Sequence, residues 1–187
     1  MPDLGFALFD TAIGCCGIVW SPRGIAGVQL PKANEAATRA RVQRRYPSAR
    51  EATPPAAVKH AMNGIMALLR GEARDLTDIV IDDESTPEFN ARVYAIARKI
   101  PPGKTMTYGE IAERLGDKLL ARDVGTALGQ NPCPVVMPCH RVLAAGGKPG
   151  GFSASGGVVT KLKLLTIEGA QPGGPTLFDR LPLAARR

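Results

Sequence analysis

The sequence predicts an α+β fold, with a small sheet and a helix first and a mainly helical half after it. Three observations predict it. Strand-like segments flank a proline–glycine turn near the start, apolar residues recur at helical spacing from residue 58, and short helical stretches broken by glycine and proline fill the chain after residue 85. At 187 residues the chain has room for one domain or two small ones. A linker-like Asp-Asp-Glu segment places the boundary near residue 84, so that 1–84 is an α+β domain, 85–169 a mainly helical one and 170–187 a flexible tail rich in Pro and Gly.

The elements follow in order. Residues 6–11 read as a strand. Residues 17–20 and 25–30 flank Ser21-Pro22-Arg23-Gly24, whose proline and glycine suit a type I turn, and so predict a β-hairpin. Val58, Met62, Ile65 and Leu69 mark one face of a helix, with Gly71 suited to the position after its end. Residues 76–82 read as a short strand. A second helix starts at residues 85–88, either with Ser85 and Glu88 as a capping box or with Thr86 as the cap and Pro87 as the first helical residue. Phe89, Val93, Ile96 and Ile100 continue it until Pro101-Pro102-Gly103 ends it. Residues 107–116 and 121–130 then form two short helices around a glycine-containing turn, with Val124 and Leu128 inward. That is the helix-turn-helix pattern, a weak signal by itself because many such pairs merely pack a core, and the charges of the segment also balance. The last helix runs over 158–168 with Val158, Leu162 and Leu165 on one side. In the tail, residues 175–179 fit a disordered segment better than a docking peptide.

Composition narrows the class. The net charge of +7 favours an acidic partner, nucleic acid first. Residues 124–167 contain no Asp or Glu but hold Arg141, Lys148, Lys161 and Lys163. The block Arg39, Arg41, Arg44, Arg45 and Arg50 reads as a solvated surface. No apolar run reaches the roughly 20 residues of a membrane span. The first residues carry Asp3 and no basic stretch, so no signal peptide is expected and the cytoplasm is the expected location. Cys15, Cys16, Cys133 and Cys139 form no CxxC pair and read as free thiols. Cys133, Cys139 and His140 do not have the spacing of zinc ligands, so no metal is expected from them.

The chemistry concentrates in Asn131-Pro132-Cys133-Pro134-Val135-Val136-Met137-Pro138-Cys139-His140-Arg141-Val142. Its three prolines stiffen the segment and hold a side chain in place. A thiol becomes nucleophilic as thiolate, and the adjacent imidazole of His140 can lower its pKa. Neighbours in an extended chain point apart, so Cys139 and His140 need a bend or a bridging water to meet. His60 is the other histidine and has no thiol beside it. Glu168 is the best acid to orient His140, because no other follows Asp123 before the tail. On its own, however, a Cys-His pair is more often structural than catalytic.

Pro138-Cys139-His140-Arg141-Val142 resembles the active-site motif of the O6-alkylguanine-DNA alkyltransferases, also called methylated-DNA–protein-cysteine methyltransferases. Tyr108 after a Thr-x-Thr turn, Arg122 ahead of Val124-Gly125, Asn131-Pro132 before Cys139, and Ile167-Glu168-Gly169 stand in the family's order. The resemblance spans about residues 86–169. It implies an RNase H-like first domain and a winged helix-turn-helix-like second domain. The implied activity is single-use, irreversible transfer of an alkyl group from O6-alkylguanine in duplex DNA to Cys139, with O4-alkylthymine as a further substrate left open. Cys139, His140, Glu168, Tyr108 and Asn131 would carry the chemistry. Arg122 would fill the gap left by the flipped nucleotide. Tyr108, Leu128, Val142, Phe152 and either Ser153 or Ser155 would hold the base, with Ser153 favoured. Gly125, Thr126, Ala127, Gly129 and Arg141 would meet the DNA. The resemblance further implies a monomer with no obligate protein partner and no cofactor. One departure stands out: the family loop Gly-[Tyr/Phe]-Ser-Gly-Gly is two residues longer here, at 151–157. A second is Lys163, where an aromatic residue is common. Three other classes compete: a binder lacking the reactive cysteine, a cysteine-sensing regulator and an unrelated thiol hydrolase.

Overall fold

The computed structural model describes residues 3–170; the tail, including residues 175–179, lies outside the described residues apart from Ala170. Strands β1 (Gly5–Thr11), β2 (Gly14–Ser21) and β3 (Gly24–Gln29) form an antiparallel meander. Ser21 pairs with Gly24, so the expected hairpin turns through Pro22 and Arg23. Gly24 has φ +149°, and a Cβ there would meet the Val80 carbonyl oxygen at 2.7 Å; only glycine lets the two chains approach this closely. Strand β4 (Arg50–Glu51) joins β1 in parallel and completes the order β3-β2-β1-β4.

Strand alternation sends Phe6 and Val19 to one face of the sheet and Ala7, Phe9, Ile18 and Trp20 to the other. Helix α1 (Glu35–Arg45) covers the first face with Val42, and α2 (Ala56–Leu69) covers the second with Val58, Ala61, Ile65 and Leu68. Helix α1 was not expected, and its composition explains why. Only Thr38 and Val42 are buried, so it has no apolar stripe. Its start is fixed by Asn34, whose side chain accepts a hydrogen bond of 2.8 Å from the Ala37 N–H. The basic block therefore sits largely on a helix. There Arg39 pairs with Glu35 and Glu51, while Arg41 and Arg45 have no carboxylate partner among the described residues.

Residues 76–82 do not form the expected strand; Ile81 makes one isolated bridge to Ile25. Asp75 captures the Thr77 N–H at 2.8 Å, and the Ile79 N–H bonds to the Leu76 carbonyl at 3.2 Å, so these residues fold into turns. Helix α3 (Glu88–Ala97) has no side-chain cap, so neither Ser85 nor Thr86 plays that part. The Thr86 N–H instead closes a turn onto the Asp83 carbonyl at 2.8 Å.

A two-residue parallel ladder then joins β5 (Met106–Thr107) to β6 (Val142–Leu143). Thr107 caps α4 (Tyr108–Leu115) in a reciprocal capping box with Glu110, and Gly116 ends the helix at φ +106°. Beyond a short 3₁₀ turn, α5 (Ala121–Gly129) buries Val124, Ala127 and Leu128. Helix α6 (Gly157–Ile167) is rotated from the expected face: Val158 and Leu162 are exposed, while Lys161, Leu164 and Leu165 are buried. Lys161 takes an inward slot because its ammonium finds carbonyl partners there, as described below. No described helix is long and apolar enough to cross a membrane.

Candidate active site

The segment between α5 and β6 holds Cys139 by its own backbone and by Asn131. The Val28 N–H donates to the Pro132 carbonyl at 2.9 Å, which ties the start of the segment to β3. The Asn131 side chain accepts from the Cys133 N–H at 2.8 Å and donates to the Met137 carbonyl at 2.8 Å and to Cys139 Sγ at 3.1 Å. One buried amide thus spans the whole proline-rich loop. Val135 lies in the left-handed region at φ +77°, which a β-branched residue adopts only under constraint. The loop delivers Cys139 into a 3₁₀ turn, Cys139–Arg141, in place of the extended chain expected there, and no hydrogen bond joins the Cys139 and His140 side chains among the described residues.

Behind the cysteine lies a buried charge cluster. His140 Nε2 is 2.8 Å from Glu168 Oε1, and both side chains are at most 2% exposed. A carboxylate only accepts hydrogen bonds, so Nε2 carries the proton and Nδ1 presents its lone pair. Nδ1 is buried and has no hydrogen-bond partner among the described residues. Arg141 grips the same carboxylate through Nε and Nη2, each at 2.8 Å, and donates from Nη1 to the Ile100 carbonyl at 2.6 Å. Burial pushes the Glu168 carboxyl up, but the hydrogen bonds from His140 and Arg141 outweigh it and bring the pKa down to about 2. Burial lowers the pKa of His140, against the pull of Glu168, and so favours the neutral base.

Lys161 is the surprise of the site. It is fully buried, and its Nζ donates to the Val142 carbonyl at 2.6 Å and the Gly151 carbonyl at 3.3 Å. The ammonium also lies 5.7 Å from the centroid of the Tyr108 ring. Burial lowers its pKa to about 8, partly offset by the charge on Cys139. Burial raises the Cys139 pKa; Asn131, Lys161 and the nearby backbone N–H groups lower it. Nothing in the sequence distinguished this lysine from a surface one except its place in an acid-free stretch.

Cys139 is 8% exposed and opens onto a cavity of about 550 Å³. Tyr108, Leu128 and Phe152 give it apolar and aromatic walls, and Arg122 stands at its side. Gly125, Gly129, Gly151 and Ser153 complete the lining with Ala121. Burial raises the Tyr108 pKa, and the charge on Cys139 raises it further. Its volume lies within the range of pockets that hold small organic ligands.

Residues 88–170 match the family described as 6-O-methylguanine DNA methyltransferase, DNA binding domain. A methylated-DNA–protein-cysteine methyltransferase of Methanothermobacter thermautotrophicus is 34% identical over 158 residues, covering 84% of this chain and 81% of its own. The chain belongs to the methylated-DNA–protein-cysteine methyltransferase family. The Mycobacterium tuberculosis methylated-DNA–protein-cysteine methyltransferase is 40% identical over 135 residues, 71% of this chain and 79% of its own. A solved structure of Mycobacterium tuberculosis OGT in complex with DNA superposes with TM-score 0.71 at 29% identity, covering 88% of this chain and 92% of that one.

In this methyltransferase the expected residues separate into three groups. Tyr108 lines the cavity with Cys139, Asn131 donates to the Cys139 sulfur, His140 pairs with Glu168, and Arg122, Gly125, Leu128, Gly129, Phe152 and Ser153 line the same cavity. Ser153 Oγ donates to the Gly129 carbonyl at 2.8 Å, whereas Ser155 Oγ accepts from Gln29 Nε2 at 3.1 Å, outside the lining of this cavity. Val142, expected to hold the base, does not line this cavity: its side chain is buried and its carbonyl accepts from Lys161. Thr126 is exposed on α5 but lines a different cavity, beside Phe89 and Asn90. Two expected DNA contacts need correction. Arg141 is buried with its guanidinium spent on Glu168 and Ile100, and Ala127 is 1% exposed against the core, its carbonyl taken by Tyr94 Oη at 2.8 Å. The buried ammonium of Lys161 is likewise closed to phosphate. His60, on α2, meets Asp78 at 2.6 Å on the surface and takes no part.

Proposed function

We propose that this protein reverses DNA alkylation damage by transferring the alkyl group of O6-alkylguanine in duplex DNA to Cys139, irreversibly and once per molecule. The observation that carries the reading is Cys139 Sγ in the wall of a base-sized cavity, with the His140–Glu168 pair beside it. In the ground state Cys139 is a thiol. Its proton passes to His140 Nδ1, through a water where the atoms do not touch, and Glu168 stabilises the imidazolium. The sulfur displaces the alkyl carbon as the C–O6 bond breaks. Tyr108, which keeps its proton at neutral pH, donates it as charge builds on the departing guanine, and its phenolate then regains a proton through solvent as the His140 imidazolium gives one up. A thioether and free guanine in DNA result. Nothing among these groups reverses a thioether, so turnover stops at one.

The domain division supports the same reading. Residues 1–84 would form the RNase H-like domain and 85–169 a winged helix-turn-helix-like one, with α4 and α5 as its helix pair. Gly125 and Gly129 beside Arg122 would let a DNA backbone approach α5 closely while Arg122 occupies the space of the extruded nucleotide. The protein would act as a monomer in the cytoplasm, without metal or cofactor.

The deciding experiment mixes the protein with duplex DNA containing O6-methylguanine and weighs the Cys139 peptide. One methyl should replace one hydrogen, saturating at one equivalent, and Cys139→Ala should gain none. Repeated turnover, as a thiol hydrolase would show, or a label on Cys133 would overturn the reading. Arg122→Ala is expected to slow repair in duplex DNA by about 10-fold or more, since extrusion is worth a few kcal/mol, and to spare reaction with free O6-alkylguanine. Equal losses on both substrates would place Arg122 in pocket support.

A further inference from the structure

Building on the alkyl-transfer reading, we propose that a second cavity beside Cys139 is a subsite for alkyl groups that end in a carboxylate. Displacement at carbon runs in line, with sulfur entering opposite O6. The other substituents of that carbon splay sideways from the axis. An adduct longer than methyl therefore needs space beside the sulfur.

Such a space exists. A cavity of about 410 Å³ shares Gly129, Cys139 and Ser153 with the base cavity and extends away from it toward α1. Its far wall carries Lys32, Arg41 and Arg45, and no acidic side chain lines it. Arg41 and Arg45 lie one helical turn apart, beside the buried Thr38 and Val42, so the packing of α1 aims this edge at the cavity. Arg39 on the same helix is held by Glu35 and Glu51, but neither Arg41, Arg45 nor Lys32 has a carboxylate partner among the described residues. Three like charges around one concavity repel each other unless an anion joins them. The near wall is polar. The lengthened 151–157 loop contributes Ser155, docked on β3 by the 3.1 Å hydrogen bond from Gln29. The chemistry of transfer is unchanged: the S–C bond forms as the C–O6 bond breaks, and the carboxylate stays bound as a spectator.

The test compares duplex DNA carrying O6-methylguanine, O6-carboxymethylguanine or its neutral isostere O6-carbamoylmethylguanine in single-turnover kinetics. The ratio of the carboxymethyl rate to the carbamoylmethyl rate should be about five-fold higher in wild type than in Arg41→Gln/Arg45→Gln at low salt, the scale of one or two partly exposed charge contacts, while the methyl rate holds, and the wild-type ratio should fall as salt rises. The same ratio in wild type and variant would overturn the subsite. So would a variant that slows all three substrates alike, which would make the basic wall a DNA-phosphate contact. If the variant fails to fold, the salt dependence of wild type decides: raising salt should slow carboxymethyl transfer relative to carbamoylmethyl, and a ratio independent of salt sinks the proposal. Failure of wild type on O6-methylguanine itself would be a failure of the parent reading.

Discussion

Glu168→Ala should lose about 3–5 kcal/mol of stability, the scale for stripping one partner from a buried ion pair. The carboxylate takes hydrogen bonds from His140 and Arg141, with the Gly103 N–H at 3.4 Å as a weaker contact. Its removal leaves a guanidinium buried without a counter-charge and an imidazole with no group to fix its tautomer. Glu168→Gln separates the two roles, since it keeps the shape and much of the packing. Methyl transfer by that variant should fall by about 100-fold, within the range for losing general-base assistance. The pH dependence has a definite sign. The folded pKa of about 2 lies below the ordinary 4.5, so the unfolded chain binds the extra proton between those values. The stabilising contribution is therefore complete above about pH 4.5 and fades as the pH falls toward 2. Urea unfolding of wild type and Glu168→Gln at pH 7, 5 and 3 should show the stability gap closing only on the acid side. A gap that stays constant would show that the charge of Glu168 does not carry the effect.

Lys161→Met should slow iodoacetamide modification of Cys139 at pH 7 by about 10-fold and move the midpoint of its pH profile upward, because the thiolate loses a buried cation. The variant preserves stem volume and removes only the charge and its donors. A second readout follows from linkage. The folded pKa of Lys161, about 8, lies below 10.5, so between these values the unfolded chain holds the proton that the folded chain has released. Stability must rise with pH across that window in wild type relative to Lys161→Met. Unchanged thiol reactivity together with a flat stability difference from pH 7.5 to 10 would reduce Lys161 to a strut between the Val142 and Gly151 carbonyls.

The parts of the molecule that could be read in advance have local causes. The β1–β3 meander follows from alternation and one proline–glycine turn, α2 from four apolar residues at helical spacing, and Cys139-His140 from a stiff, proline-punctuated segment. Glu168 could be reached because acids are absent between Asp123 and Ile167. What escaped depends on partners distant in sequence. Helix α1 is polar nearly all round and is a helix because the sheet needs a cover for Phe6 and Val19. The β5–β6 ladder has two residues per strand, too short for any period to show. Residues 76–82 have strand composition, but Asp75 turns the backbone locally. Arg141 and Lys161 belong to residue types that normally face water, and only the folded chain supplies the carboxylate and carbonyls that hold them inside. One missed signal was local: Thr107 and Glu110 have the capping-box spacing, and the helix start could have been fixed from them.

Val135 sits four residues before the nucleophile in a backbone region that its branched side chain resists. Glycine at this position would relax that strain but would strip a side chain that is 1% exposed in the core. It would also widen the set of shapes open to the loop, and the sulfur would no longer meet Asn131 at one fixed distance. The valine thus works as a preload, like a tensioned spring in a latch: conformational comfort is surrendered at one residue so that a molecule with a single shot holds its aim.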